Sequence, residues 1–113
     1  MNQQIQERLN LSPQEILDFC VENNIQELAL FGSVLREDFN PNSDLDFLVV
    51  FNPEIQLSLM DLVRIQYQLE DLTGRKVDII EKRSILDSHN WIRRQNILNT
   101  AKTIYESGQV LSA

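Results

Sequence analysis

The sequence predicts a small α/β (α+β) fold: a mixed β-sheet of three or more strands flanked by about four helices. Three observations carry this. Three short apolar runs, LALF, DLDFLVVF and KVDIIE, are each bounded by turn-forming residues and have strand length. Two helix-start signatures, at Ser12 and Ser58, each precede an apolar stripe of helical period. One of those helices falls between the second and third apolar runs, which makes a βαβ unit.

Taken in order, Leu11-Ser12-Pro13-Gln14-Glu15 opens the first helix, with Ser12 as N-cap, Pro13 in the first helical position and Glu15 closing a capping box. Ile16, Phe19, Cys20 and Val21 are its candidate core residues, and Asn23-Asn24 ends it. Residues 26–32 read as a first strand; its consecutive apolar residues suit a strand covered on both faces. Residues 33–44 form a connection that begins with a helical turn and breaks near Pro41-Asn42. Residues 44–51 are the clearest strand, stopped by Asn52-Pro53. Ser58 with Asp61 caps a helix that presents Leu59, Leu62, Ile65, Leu69 and Leu72 on one side and closes at Gly74. Residues 76–81 form a third strand. A final helix is predicted over residues 90–106, with Ile97, Leu98, Ala101, Ile104 and Tyr105 at helical spacing.

Two strands joined by a helix are normally parallel neighbours and begin at the same edge of the sheet. Asp44 and Asp46, opening the second strand, are therefore expected near Asp78, which opens the third. If the first strand runs antiparallel to the second, its exit at Gly32-Ser33 reaches that edge as well.

The chain has 113 residues, suited to one domain spanning 1–113, with apolar and charged fractions of ordinary globular proteins. Its net charge of −7 disfavours general binding to a polyphosphate backbone. No apolar run approaches the ~20 residues of a membrane span, and MNQQIQERLN lacks a signal-peptide core, so a cytoplasmic location is expected. Cys20 has no partner for an internal disulfide and lies on an apolar stripe, which marks it as a core residue. No Cys or His cluster has zinc-ligand spacing.

Asp44 and Asp46 lie two apart on a strand, so they share one face, with α-carbons ~6.5–7 Å apart. A third carboxylate from Asp78 would repel both unless a cation bound between them. Magnesium suits such a set, because it takes oxygen ligands, commonly one or two carboxylates plus substrate phosphates. Asp44 and Asp46 alone are equally compatible with solvated strand-end residues; Asp78, set between Val77 and Ile79, is harder to explain that way. Gly32-Ser33 after a strand allows a tight turn and close approach of a ligand to the backbone, although such turns are common. Arg36 can pair with phosphate or with Glu37, Asp38 or a nearby acid. His89 is expected at the surface, and Trp91 and Tyr105 as packing residues or part of a partner-facing surface on the last helix.

Gly32-Ser33, ten intervening residues and then Asp44-Leu45-Asp46 match the Gly-Ser-x10-Asp-x-Asp signature of the nucleotidyltransferase superfamily related to the polymerase beta palm. The longer stretch ALFGSVLREDFNPNSDLDFLVVF resembles the MNT (minimal nucleotidyltransferase) antitoxins of HEPN/MNT toxin–antitoxin pairs, and WIRRQNILNTAKTIYE is similar to that family's final helix. The resemblance spans residues 13–106. It implies a nucleotidyltransferase fold and an Mg2+-dependent enzyme that moves AMP from ATP to a tyrosine of a HEPN RNase toxin and so silences it. On this resemblance Asp44 and Asp46 bind metal, Asp78 helps activate the acceptor hydroxyl, and Gly32 and Ser33 hold the triphosphate; from the residues themselves, Asp78 is also a candidate third metal ligand and Arg36 a nucleotide-binding candidate.

Core elements fill nearly the whole chain, so the acceptor is expected to complete the site from outside. Two alternatives stand beside this reading: an antitoxin that neutralises its partner by binding alone, and a nucleotidyltransferase for a small-molecule or nucleic-acid acceptor. Arg83 and His89 have the Arg-x5-His spacing of HEPN RNases, but that fold is all-helical and this chain carries three strands.

Overall fold

The computed structural model of the chain describes residues 3–87 and 89–111. Its elements are α1 (Gln3–Leu9), α2 (Pro13–Glu22), β1 (Ile25–Phe31), a 3-10 turn (Gly32–Leu35), β2 (Leu45–Phe51), α3 (Leu59–Thr73), β3 (Val77–Glu81), α4 (Lys82–Leu86), α5 (Trp91–Thr100), β4 (Lys102–Glu106) and β5 (Gln109–Val110). They build a five-stranded sheet in the order β3-β2-β1-β4-β5. The β2–β3 pair is parallel and the other pairs are antiparallel. The fold is therefore the mixed α/β type expected from the sequence.

Both capping boxes form. Ser12 Oγ accepts from the Glu15 amide at 3.1 Å while the Glu15 carboxylate accepts from the Ser12 amide at 3.0 Å. Ser58 and Asp61 repeat the exchange at 3.2 and 3.0 Å. Each satisfies two backbone donors that a helix start leaves without partners. Gly74 ends α3 in the left-handed region at φ +72°, where a side chain would be strained.

The strands sort their residues by parity. Leu28 and Leu30 of β1, Leu45, Phe47 and Val49 of β2, and Val77 of β3 join a core with Ile5 and Leu9 of α1, Ile16, Phe19 and Cys20 of α2, and Ile65 and Leu69 of α3. The other face is thinner: Ala29, Phe31 and Leu48 meet Ile85 of α4 and Ile97 of α5, with Ile80, Leu98 and Ala101 against them. By the same parity Asp46 and Asp78 belong to this second face, the one that α4 and α5 cover.

The predicted helix over 90–106 is corrected. α5 stops at Thr100; Ala101, with φ −61° and ψ 140°, turns the chain into β4, which pairs antiparallel with β1. Ile97, Leu98 and Ala101 lie in the second core, but Ile104 and Tyr105 lie in the first. One apparent helical stripe therefore serves two faces of the sheet. The cause is tertiary: without β4, the main-chain groups along one edge of β1 would lack partners, and Thr103-Ile104-Tyr105 is β-branched and aromatic. Tyr105 is thus a buried strand residue (2% exposed) and not part of a helical partner-facing surface.

Smaller differences follow from packing. α1 and α4 were not anticipated, being short, although Ile5 and Leu9 have the spacing of one helical face. Val21 and Leu59, both counted toward helix cores, are 61% and 75% exposed. Cys20 is fully buried, and His89 is exposed. No helix among the described residues is long and apolar enough to cross a membrane.

Candidate active site

The β2–β3 register sets Asp46 directly opposite Asp78, as parallel strands joined by α3 require. Across the other edge of β2, Phe31 is the partner of Asp46, so the residue after it, Gly32, turns over the Asp46 side chain. Gly32 has φ +78°, and a Cβ there would collide with Oδ2 of Asp46 and lie 3.3 Å from its Cγ. Only glycine fits, both for the backbone angle and for the space. Asp44 immediately precedes β2, and its carbonyl accepts a hydrogen bond from Ser33 Oγ at 3.2 Å. Gly32, Ser33, Asp44, Asp46 and Asp78 thus share one corner of the sheet.

The corner is electrostatically crowded. Asp46 is half-buried, and its pKa is raised from 3.8, first by burial and then by the negative charges of Asp78 and Asp44; Arg36 and Arg93 pull it back down. Asp44 and Asp78 are exposed. Arg36 forms an exposed ion pair with Asp38 at 3.3 Å, so its guanidinium stands near the corner but is held by a local acid. Arg93 was not singled out from the sequence. Its proximity follows from α5 crossing the same sheet face as Asp46, which no local pattern in WIRRQNIL reveals.

The donor set suits a hard divalent cation, since it consists of carboxylate oxygens that repel one another without one. Among the described residues no group of three His, Cys, Asp or Glu side chains is already arranged to hold a metal ion. Magnesium commonly takes one or two carboxylates and completes its shell with water and substrate phosphates.

A profile of the nucleotidyltransferase domain matches residues 13–109. The chain belongs to this family. A relative from Methanocaldococcus jannaschii, provisionally named a protein adenylyltransferase, is 32% identical over 93 residues, or 82% of this chain and 94% of that one. Further relatives bearing the adenylyltransferase name match over 61 residues, 60% or 61% of their own length. A solved structure provisionally described as a minimal nucleotidyltransferase is 32% identical with a TM-score of 0.64, covering 84% of this chain and 91% of that one. A complex of tri-AMPylated Shewanella oneidensis HEPN toxin with MNT antitoxin shares the fold at 19% identity and a TM-score of 0.60, covering 91% of this chain and 73% of its counterpart.

As a nucleotidyltransferase the chain is an enzyme of phosphoryl-transfer type, and the resemblance drawn from Gly-Ser-x10-Asp-x-Asp holds. The matched span contains the Gly-Ser turn, the Asp-x-Asp strand and Asp78. It also contains β4, so the family's domain includes the strand that the sequence alone disguised as helix.

Proposed function

We propose that this chain, as one domain spanning 1–113, is a cytoplasmic antitoxin that transfers AMP from ATP to a tyrosine hydroxyl of a partner HEPN toxin and thereby neutralises it. The observation that carries the chemistry is the pairing of Asp46 with Asp78 beneath the Gly32 turn. The acceptor class is supported by the adenylyltransferase name of the M. jannaschii relative and by the AMPylated HEPN toxin in complex with an MNT antitoxin.

Asp44, Asp46 and Asp78 are the residues that would hold Mg2+. When bound, the ion neutralises the phosphate oxygens and lowers the pKa of the acceptor hydroxyl. Gly32 and Ser33 hold the triphosphate, where the absent Cβ lets phosphate approach the backbone. Asp78, exposed at the start of β3, orients the acceptor hydroxyl and takes its proton. The hydroxyl oxygen bonds to the α-phosphorus as the bond to the bridging α,β-oxygen breaks, and pyrophosphate leaves. Arg36 and Arg93 add positive charge beside a site whose protein groups are otherwise acidic.

The deciding experiment incubates the chain and its partner toxin with α-labelled ATP and Mg2+ and follows label into the toxin by mass spectrometry. Label on a toxin tyrosine, absent with Asp46→Asn, is the expected result. Toxin inhibition without label would leave neutralisation by binding alone. Label appearing only in a small molecule or a nucleic-acid end would replace the acceptor.

A further inference from the structure

Phe39 lies midway along the connection between the 3-10 turn and β2, half-buried against the first core. Two guanidinium groups sit over its ring. The Arg8 Cζ is 5.1 Å from the ring centroid and the Arg75 Cζ is 4.3 Å from it, both within cation–π range. Each arginine also grips main chain. Arg8 Nη1 donates to the carbonyls of Val34 and Arg36 at 2.8 and 2.6 Å. Arg75 Nη1 donates to the carbonyls of Asn40 and Ser43, each at 3.0 Å.

These four carbonyls bracket the connection. Val34 directly follows Gly32-Ser33, Arg36 ends the 3-10 turn, and Ser43 directly precedes Asp44. Arg75 stands three residues before Asp78, and its neighbour Lys76 accepts the Leu45 amide at 2.9 Å. Arg8 comes from α1 and Arg75 from the approach to β3, so Phe39 joins two parts of the chain far apart in sequence. Neither arginine is in an ion pair with a carboxylate among the described residues. The arginines that act on the charge of Asp46 are Arg36 and Arg93, not these two. Their contacts with this segment are to main-chain carbonyls and to the Phe39 ring.

We propose that Arg8, Phe39 and Arg75 form a clamp that fixes the turn carrying Gly32-Ser33 at a set distance from Asp44, Asp46 and Asp78. They are positioning residues for the nucleotidyl transfer proposed above, and their role in that reaction rests on that reading. The connection, residues 36–44 with Asn40-Pro41-Asn42 at its middle, has carbonyls to satisfy and little core of its own. A guanidinium fork stacked on an aromatic ring meets that need in a way a lysine does not.

The test uses the full chain and the variants Arg8→Lys, Arg75→Lys, Phe39→Leu and Phe39→Tyr. Amide hydrogen exchange and the affinity for ATP with Mg2+ are measured on each. Arg8→Lys is expected to speed exchange at residues 33–36, Arg75→Lys at 43–46, and Phe39→Leu at both. Exchange in α3 and in the middle of β1 should be unchanged. Affinity should fall on the order of tenfold to a hundredfold, as the loss of one charge-assisted hydrogen bond to phosphate does, while Phe39→Tyr, which keeps the ring, stays near wild type. Exchange that rises evenly over the whole chain, or affinity unchanged in both lysine variants, overturns the clamp. A wild-type chain that binds no ATP overturns the nucleotidyl-transfer reading instead, and the exchange pattern then decides the clamp by itself.

Discussion

Oδ2 of Asp46 occupies the space in which a β-carbon on residue 32 would stand. The turn after β1 and the first strand-borne carboxylate of β2 are thus in direct contact, and the backbone at Gly32, with φ +78°, is in the region glycine tolerates.

Gly32→Ala should therefore hurt twice. The left-handed backbone alone costs a non-glycine residue about 1–2 kcal/mol, and the new methyl must displace Asp46 or the turn. A lowered urea midpoint together with loss of nucleotidyl transfer is expected. Wild-type stability in this variant would show that the contact yields easily.

Asp46→Asn separates chemistry from stability. Transfer should fall by on the order of 100-fold or more, because neutralising charge at the transferring phosphoryl group is worth several kcal/mol. Stability of the metal-free protein should hold or rise. Burial, Asp78 and Asp44 raise the Asp46 pKa above 3.8 in the folded state, so between 3.8 and that raised value the folded chain binds more protons than the unfolded one. The wild type therefore loses stability relative to Asp46→Asn as pH rises through that window, and the gap is constant above it. Urea titrations of both proteins in EDTA across mildly acidic pH measure the gap; a gap that shrinks with rising pH contradicts the burial argument.

Magnesium with ATP should raise the thermal midpoint of the wild type, since a ligand that binds only the folded state stabilises it. Asp46→Asn should show little of this shift. An equal shift in both proteins would move the nucleotide site away from Asp46.

Ile104 tests β4. It is 1% exposed in the first core, and Ile104→Ala should cost about 2–5 kcal/mol by denaturant unfolding. Ile92→Ala, at a site 58% exposed on α5, should change stability by no more than about 0.5 kcal/mol. Similar costs at the two positions would be incompatible with the strand.

Cys20 reports on the core between α2 and the sheet. Burial pushes its thiol up to about 12, so almost no thiolate exists at neutral pH. Iodoacetamide should leave the native chain unlabelled and modify it fully in urea, as read by intact mass.

The sequence by itself determined the elements whose signals are local. Ser12 and Ser58 with their acidic partners mark helix starts because a capping side chain satisfies amides only three residues away. The strand period places Asp46 on the face opposite Leu45 and Phe47 because alternation is a property of the backbone, and the helix between β2 and β3 brings Asp78 alongside because a short crossover leaves few alternatives. Asp44, expected within the strand, instead immediately precedes it. Tertiary structure decided what depends on a distant partner. Residues 102–106 are a strand because β1 has an open edge to fill, although their apolar spacing suits a helix equally well. The charge of Arg93 acts on Asp46 because α5 lies across that face, and Arg8 meets Arg75 on Phe39 because α1 and the start of β3 fold to the same loop. Periodicity records which side of an element is apolar, but not which neighbour will cover it.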